Sequence, residues 1–414
     1  MNRRTYLTTA TATTVLAVAG CMGGGNGEEE NESRDDGYGD FDEDDESEAP
    51  PDLAGTWDDF EDLDDWTATA GSLEADGSQY YEGSQSARIS VPESESSGRI
   101  IKTLSSPLDC SEVVPGMAMA SSGPSAPAIQ LWDENGNKVE YRQETDASNP
   151  FVRRNFGLSK REGDVDLERI GEVHVVQWTG DELEGDLWVD DLYFTPRSED
   201  GMMMIQFHGG YEEDYTRAMP ILEEHGLEAT TFVATGRVRE SDHSEGDRLT
   251  VSQVEELADA GWTISSYSRR GLNMNNVDPD EREADVLEAI DWLEERGYED
   301  GARFFAFPGG RFDEIGYETV AEVHDLAFAG RFPSQGHAAN PHLCPRITNP
   351  DPESAVNMVE WTADVGGITT IAFNRVDAEA EAALETLAAA ITEHQENGGI
   401  EVLTPDEMAD EYVF

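Results

Sequence analysis

The chain has 414 residues, enough for two or three domains that each bury a core of their own. Its 89 acidic residues against 27 basic ones give a net charge of −62. A surface this acidic repels the phosphates of DNA and RNA and excludes nucleic acid as a partner.

Residues 1–21 read as an address. Arg3 and Arg4 precede Tyr6-Leu7, and a run of small apolar residues leads to Val18-Ala19-Gly20-Cys21. The pattern resembles a twin-arginine signal ending in a lipobox, with Cys21 as the lipidation site, and implies export and a lipid anchor on the extracellular face of the membrane. The apolar run is shorter than the roughly 20 residues that span a bilayer. Residues 22–52, mostly glycine, acid and serine, are expected to be a disordered tether. Acids also crowd Asp58 to Asp65 and Asp278 to Glu288, inside the structured regions. Repulsion on that scale becomes short-ranged in molar salt, where the Debye length is about 3 Å, so a salt-adapted, halophilic protein is expected. Cys110 and Cys344 lack CxxC or zinc-type spacing, and no disulfide framework is expected.

Residues 53–197 change to short alternating segments with aromatics, separated by glycine, serine and aspartate, which reads as a β-sandwich. The opening Trp57-Asp58-Asp59-Phe60-Glu61 through Trp66, the Gly83-Ser84-Gln85-Ser86 segment and the closing Leu187 to Phe194 together resemble galactose-binding-like jelly-roll domains. That resemblance implies carbohydrate binding. It also implies a structural calcium held by carboxylates of the first and last strands, with Glu61, Glu82 and Asp191 as candidates. In so acidic a chain the competing reading of each is a solvated surface carboxylate.

Residues 198–414 alternate strand-length apolar runs with helices. The strands are expected at Met202 to Phe207, Glu228 to Ala234, Trp262 to Ser266, Arg303 to Phe307, Leu326 to Ala329, Thr369 to Phe373 and Ile400 to Leu403. Asp278-Pro279-Asp280-Glu281 reads as a helix start with a capping box, and Thr250 to Gln253 and Thr404 to Glu407 repeat that logic. The alternation implies a parallel sheet, open or closed as a barrel, with its chemistry at the C-terminal ends of the strands.

Five segments, Ile205 to Gly210, Gly226 to Val233, Leu257 to Ser266, Phe305 to Gly310 and Ile371 to Asn374, come in the order and spacing that resembles the NodB-type polysaccharide deacetylases. The resemblance implies a distorted (β/α) barrel and, in active members, a divalent metal, usually zinc, that activates water against an acetyl group. A catalytic zinc wants three protein ligands, an open position for water, a base and an acid. Carried onto this chain, His208 stands at the base position, Gly209, Tyr267 and Gly271 at the ligand positions, and Asn374 at the acid position. Glycine offers no ligand atom and neutral tyrosine is a poor one, so loss of activity by the family mechanism is expected.

Arg269, Arg270, Arg311, Arg331 and Arg375 fall in or beside the strand-end loops. They are candidates for a cationic rim that binds an acidic glycan, against the alternative that each neutralises a neighbouring carboxylate. The expected function is therefore a cell-surface, carbohydrate-associated binding protein, a pseudoenzyme. The first alternative is a hydrolase of carbon–nitrogen bonds in N-acetylated polysaccharide, with a metal site rebuilt around His208, His337 and His342. The second is a structural or protein-interaction barrel.

Overall fold

The computed structural model describes residues 51–180, 183–241 and 245–414. The expected signal, the lipidation site Cys21 and all of the tether before Pro51 lie outside the described residues.

The alternating segments from Gly55 to Pro196 build two six-stranded antiparallel sheets. In the first, Ser72–Asp76, Ser86–Val91, Gly185–Pro196, Val113–Ser121 and Val152–Arg154 lie side by side, and Gly55–Asp58 also pairs with Gly185–Pro196. In the second the order is Gly157–Glu162, Lys138–Arg142, Ala128–Asp133, Ile170–Trp178, Ser97–Leu108, Trp66–Ala70. The period of two sends every other side chain to the same face. Ile89, Met117 and Val189 of the first sheet therefore meet Ile100, Leu131 and Val175 of the second in one core.

The Gly83-Ser84-Gln85 segment wraps the Glu61 carboxylate, which accepts from both the N–H and the hydroxyl of Ser84 and from the N–H of Gln85. A Cβ on Gly83 would lie 2.2 Å from Glu61 Oε1, so this turn requires glycine.

All seven expected C-terminal strand segments are strands. They form an eight-stranded parallel sheet in the order Leu326–Phe328, Phe304–Ala306, Thr263–Ser266, Thr230–Val233, Gly201–Gly209, Gly367–Phe373, Ile347–Thr348, with Glu401–Val402 also beside Gly201–Gly209. The eighth strand, Ile347–Thr348, is too short to show a pattern. The expected barrel is a half-barrel, because Leu326–Phe328 and Ile347–Thr348 are its edges and do not pair with each other. Residues 329–346 cross the gap instead; Pro333, Pro341 and Pro345 leave no N–H for a regular ladder.

In Gly201–Gly209, Met203, Ile205 and Phe207 pack outward with the helices, and Met202 and Met204 pack inward. The same alternation puts Gln206 and His208 on the inward face near the C-terminal end. Thr250 and Thr404 make full capping boxes with Gln253 and Glu407. Asp278 caps Pro279–Glu294 through the N–H of Asp280, whereas the expected reciprocal partner, Glu281, pairs with Arg270.

Residues 50–414 form one compact unit. The crossing segment ties its two halves together. Asn155 and Asn340 exchange hydrogen bonds, Leu158 N donates to Gln335 Oε1 at 2.6 Å, and Gly157 bridges to Ser334.

Candidate functional site

His208, next to last in its strand, is 1 % exposed, with Nε2 3.0 Å from Gln206 Oε1 and Nδ1 without a hydrogen-bond partner among the described residues. Its ring lies edge-on to Phe232 and tilted against Tyr267. Burial, reinforced by the Arg346 guanidinium, holds its pKa well below the ordinary histidine value. It is a neutral imidazole in an aromatic cage.

Arg346 is itself buried and donates to the carbonyls of Phe328 at 2.6 Å and Phe307 at 2.9 Å, the strand ends beside the gap. Burial lowers its pKa to about 10, which leaves it charged at neutral pH.

The next residue, Gly209, has φ 104°, and its carbonyl oxygen accepts from the Arg248 guanidinium. A Cβ at Gly209 would stand 2.8 Å from Arg248 Nη1 and 3.0 Å from the Tyr211 ring. The Arg248 guanidinium lies 3.6 Å from the Tyr211 ring centre and that of Arg375 4.3 Å from it. Such stacking on an aromatic face favours a cation. The space into which a side chain at position 209 would reach is thus filled by a cation and a phenol ring.

The other two positions that the resemblance makes metal ligands are equally closed. The Tyr267 hydroxyl accepts from the N–H of Gly309 at 3.2 Å, and burial raises its pKa further from the phenolate. Gly271 has φ 62°, and a Cβ there would lie 2.8 Å from the Ala234 methyl. At the acid position, the Asn374 N–H donates to Asn349 Oδ1. No group of three or more His, Cys, Asp or Glu among the described residues is arranged to hold a metal. The residues at the mouth do not fit the zinc that the resemblance implies, since two guanidiniums line the place where a dication would need carboxylates and imidazoles.

His337 and His342 do not join His208. His337 packs on Tyr412, and the Nε2 of His342 reaches the His324 carbonyl at 2.8 Å. Of the rim candidates, Arg269 pairs with Glu288, Arg270 with Glu281 and Asp285, Arg331 with Glu144, and Arg375 with Glu213 and Asp247. Arg311 is exposed. Glu61, Glu82 and Asp191 are not gathered around one point: Glu61 holds the Ser84 turn, Glu82 is exposed, and Asp191 is paired with Arg153 and accepts from Thr56. Protein donors thus already satisfy the two carboxylates that are anchored, Glu61 and Asp191.

Beside the mouth, Asp214 is 1 % exposed and accepts from the Thr231 hydroxyl at 2.9 Å. Burial raises its pKa to about 8. Sequence reasoning passed over Arg248, Arg346 and Asp214, which reach the site from outside the five motif segments or from a residue type common throughout the chain. The scarcity of basic residues is the one signal that marks the two arginines.

Residues 195–326 match the family model for polysaccharide deacetylases. The C-terminal region is therefore NodB-type polysaccharide deacetylase-like. A curated relative, YxkH of Bacillus subtilis (strain 168), named for polysaccharide deacetylase, is 26% identical over 112 residues, which are 27% of this chain and 38% of the relative. The chain thus matches well under half of that relative's length. Among solved structures, a family 4 carbohydrate esterase from Streptomyces lividans in complex with acetate aligns at 15% identity and TM-score 0.36, over 50% of this chain and 94% of its own. BA3943, a CE4 family pseudoenzyme from Bacillus anthracis, aligns at 18% identity and TM-score 0.38, over 53% and 68%.

Proposed function

We propose that this chain is a carbohydrate-associated, glycan-binding protein of the cell surface, anchored through Cys21, whose deacetylase-like region has lost hydrolysis. The observation that carries the proposal is the Arg248 guanidinium, 2.8 Å from where a Gly209 Cβ would stand. A fixed cation there opposes a second, divalent one, and position 209 cannot offer a ligand without displacing it. The acid and base roles are absent as well. His208 is neutral and enclosed among Gln206, Phe232 and Tyr267, and an asparagine at position 374 has no proton to give a leaving amine. The family match supplies the substrate class, a polysaccharide, and the acidic linker after Cys21 suits a spacer that holds the folded part away from the membrane.

The test is acetate release from N-acetylated chito-oligosaccharides and from acetylated xylan, with zinc or cobalt added. The proposal expects none above the buffer blank, together with binding of at least one polysaccharide in affinity electrophoresis. Turnover that disappears in His208→Ala would replace this reading with the rebuilt hydrolase.

A further inference from the structure

We propose that the outer face of the sheet running from Gly157–Glu162 to Trp66–Ala70 is a binding face for an acidic polysaccharide; this rests on the carbohydrate-binding reading above and gives it a place and a ligand class. The face is built by strand alternation. Glu140, Gln130, His174 and Ile101 are successive register partners across four strands, and Arg142, Ala128, Val176 and Arg99 form the adjacent row. The inward neighbours Val139, Leu131, Val173 and Ile100 lie in the core, so these rows point away from it.

Their chemistry is unusual for the second face of a sheet. Gln130, Glu140 and His174 are 1 %, 5 % and 4 % exposed, yet all are polar. They are fixed in one network: Gln130 Nε2 donates to Glu140 at 2.6 Å, Arg99 donates to Gln130 Oε1 at 3.1 Å, and Arg99 lies 2.9 Å from His174 Nδ1. Two half-buried indoles flank this floor. Trp132 stacks on His174 with centroids 5.1 Å apart, and the Arg142 guanidinium crosses the small Ala128 to lie 4.1 Å from the Trp178 ring centre. Planar donors and acceptors held rigid between aromatic plates match a sugar, which presents hydroxyls at its edge and C–H faces to a ring.

Charge selects the kind of sugar. Across the chain acids outnumber bases 89 to 27, but this face carries Arg99, Lys138, Arg142 and Lys160 against Glu140, Glu162 and Glu172; Arg142 is paired with Glu140 and both lysines with Glu162, which leaves Arg99 as the cation the face does not neutralise. Lys138 and Lys160 are two of only three lysines in the sequence, with Lys102 on the same sheet. Arg99 has neutral hydrogen-bond partners and no carboxylate in ion-pair range among the described residues, so its charge remains for a ligand carboxylate or sulfate. On a molecule that otherwise repels polyanions, a face of this balance is complementary to one.

The test is affinity electrophoresis of the full chain in gels holding polygalacturonate, dextran sulfate or neutral dextran, in 0.2 M and 2 M NaCl. The proposal expects retardation by one of the acidic polymers and none by dextran, and about a tenfold rise in Kd for Arg99→Gln and for Trp178→Ala. Arg99→Lys and Trp178→Phe, which keep charge and ring, should retain most of the binding, and Arg296→Gln, at the end of the helix Pro279–Glu294, all of it. Unchanged retardation of Arg99→Gln and Trp178→Ala, with unfolding midpoints like that of the parent, would overturn this site while leaving carbohydrate binding in place. So would equal retardation by neutral dextran. No retardation by any polysaccharide would sink both readings.

Discussion

Gly209 and Asp214 are the residues whose substitution says most about the mouth. An aspartate at position 209 would have to adopt φ near 104° and push into Arg248 and Tyr211. A side chain in that backbone region costs about 1–3 kcal/mol. Gly209→Asp should therefore lower stability by about that amount in chemical denaturation and bring no acetate release.

Asp214 gives a pH signature. Its carboxyl titrates near 8 in the folded chain and near 4 when unfolded, so between those values the folded state holds a proton that the unfolded state has lost. That proton's contribution to stability is complete below about pH 4 and is lost as the pH rises toward 8. Asp214→Asn, which keeps an acceptor for Thr231, should leave the unfolding free energy in chemical denaturation unchanged at pH 4 and raise it at pH 8, by at least about 2 kcal/mol. Equal effects at both pH values would contradict the buried, neutral carboxyl. His208 works in the opposite sense: its lowered pKa makes the fold lose stability as the pH falls below about 6.5.

At the scale of elements, the docking of the crossing segment is the sensitive joint. A Cβ on Gly157 would lie 2.1 Å from the Pro333 carbonyl oxygen, and that approach permits the Gly157–Ser334 bridge. Gly157→Val should cost about 1–3 kcal/mol, as overpacking does, and appear as a lower midpoint in thermal unfolding. The strands themselves were legible because the alternation of apolar runs with capped helices is local: Met203, Ile205 and Phe207 announce one face of a strand without help from any distant residue. The positions of the motif residues followed from the same order of segments. What fills the mouth was not legible. Arg248 comes from a loop 39 residues after the carbonyl it binds, and Arg346 from the segment that closes the half-barrel's gap. Neither has a periodic neighbour to mark it. The polar sheet face was hidden for a related reason, since Glu140, Gln130 and His174 become neighbours only through the register of three strands.

For the molecule as a whole, the net charge of −62 sets the conditions under which the rest holds. Many of its acids are solvated, and their mutual repulsion weakens as the Debye length falls from about 8 Å at 0.15 M salt to about 3 Å at 1 M. The thermal midpoint should rise between 0.2 M and 2 M NaCl; a midpoint independent of salt would contradict salt adaptation. The same repulsion disfavours a polyanionic partner except where a cation is left without a carboxylate, which separates the sheet face, with Arg99, from the barrel mouth, where Glu213 and Asp247 already hold Arg375.

At the deacetylase-like mouth, the Arg248 and Arg375 guanidiniums stand where the resemblance would put a metal. Elemental mass spectrometry on the purified chain, equilibrated with zinc in molar salt and then desalted, tests most directly whether the mouth holds a metal, with His208→Ala alongside. The account predicts less than about a tenth of a zinc ion per chain in both proteins, against the one that a three-ligand site retains. One zinc per chain that disappears in His208→Ala would contradict it.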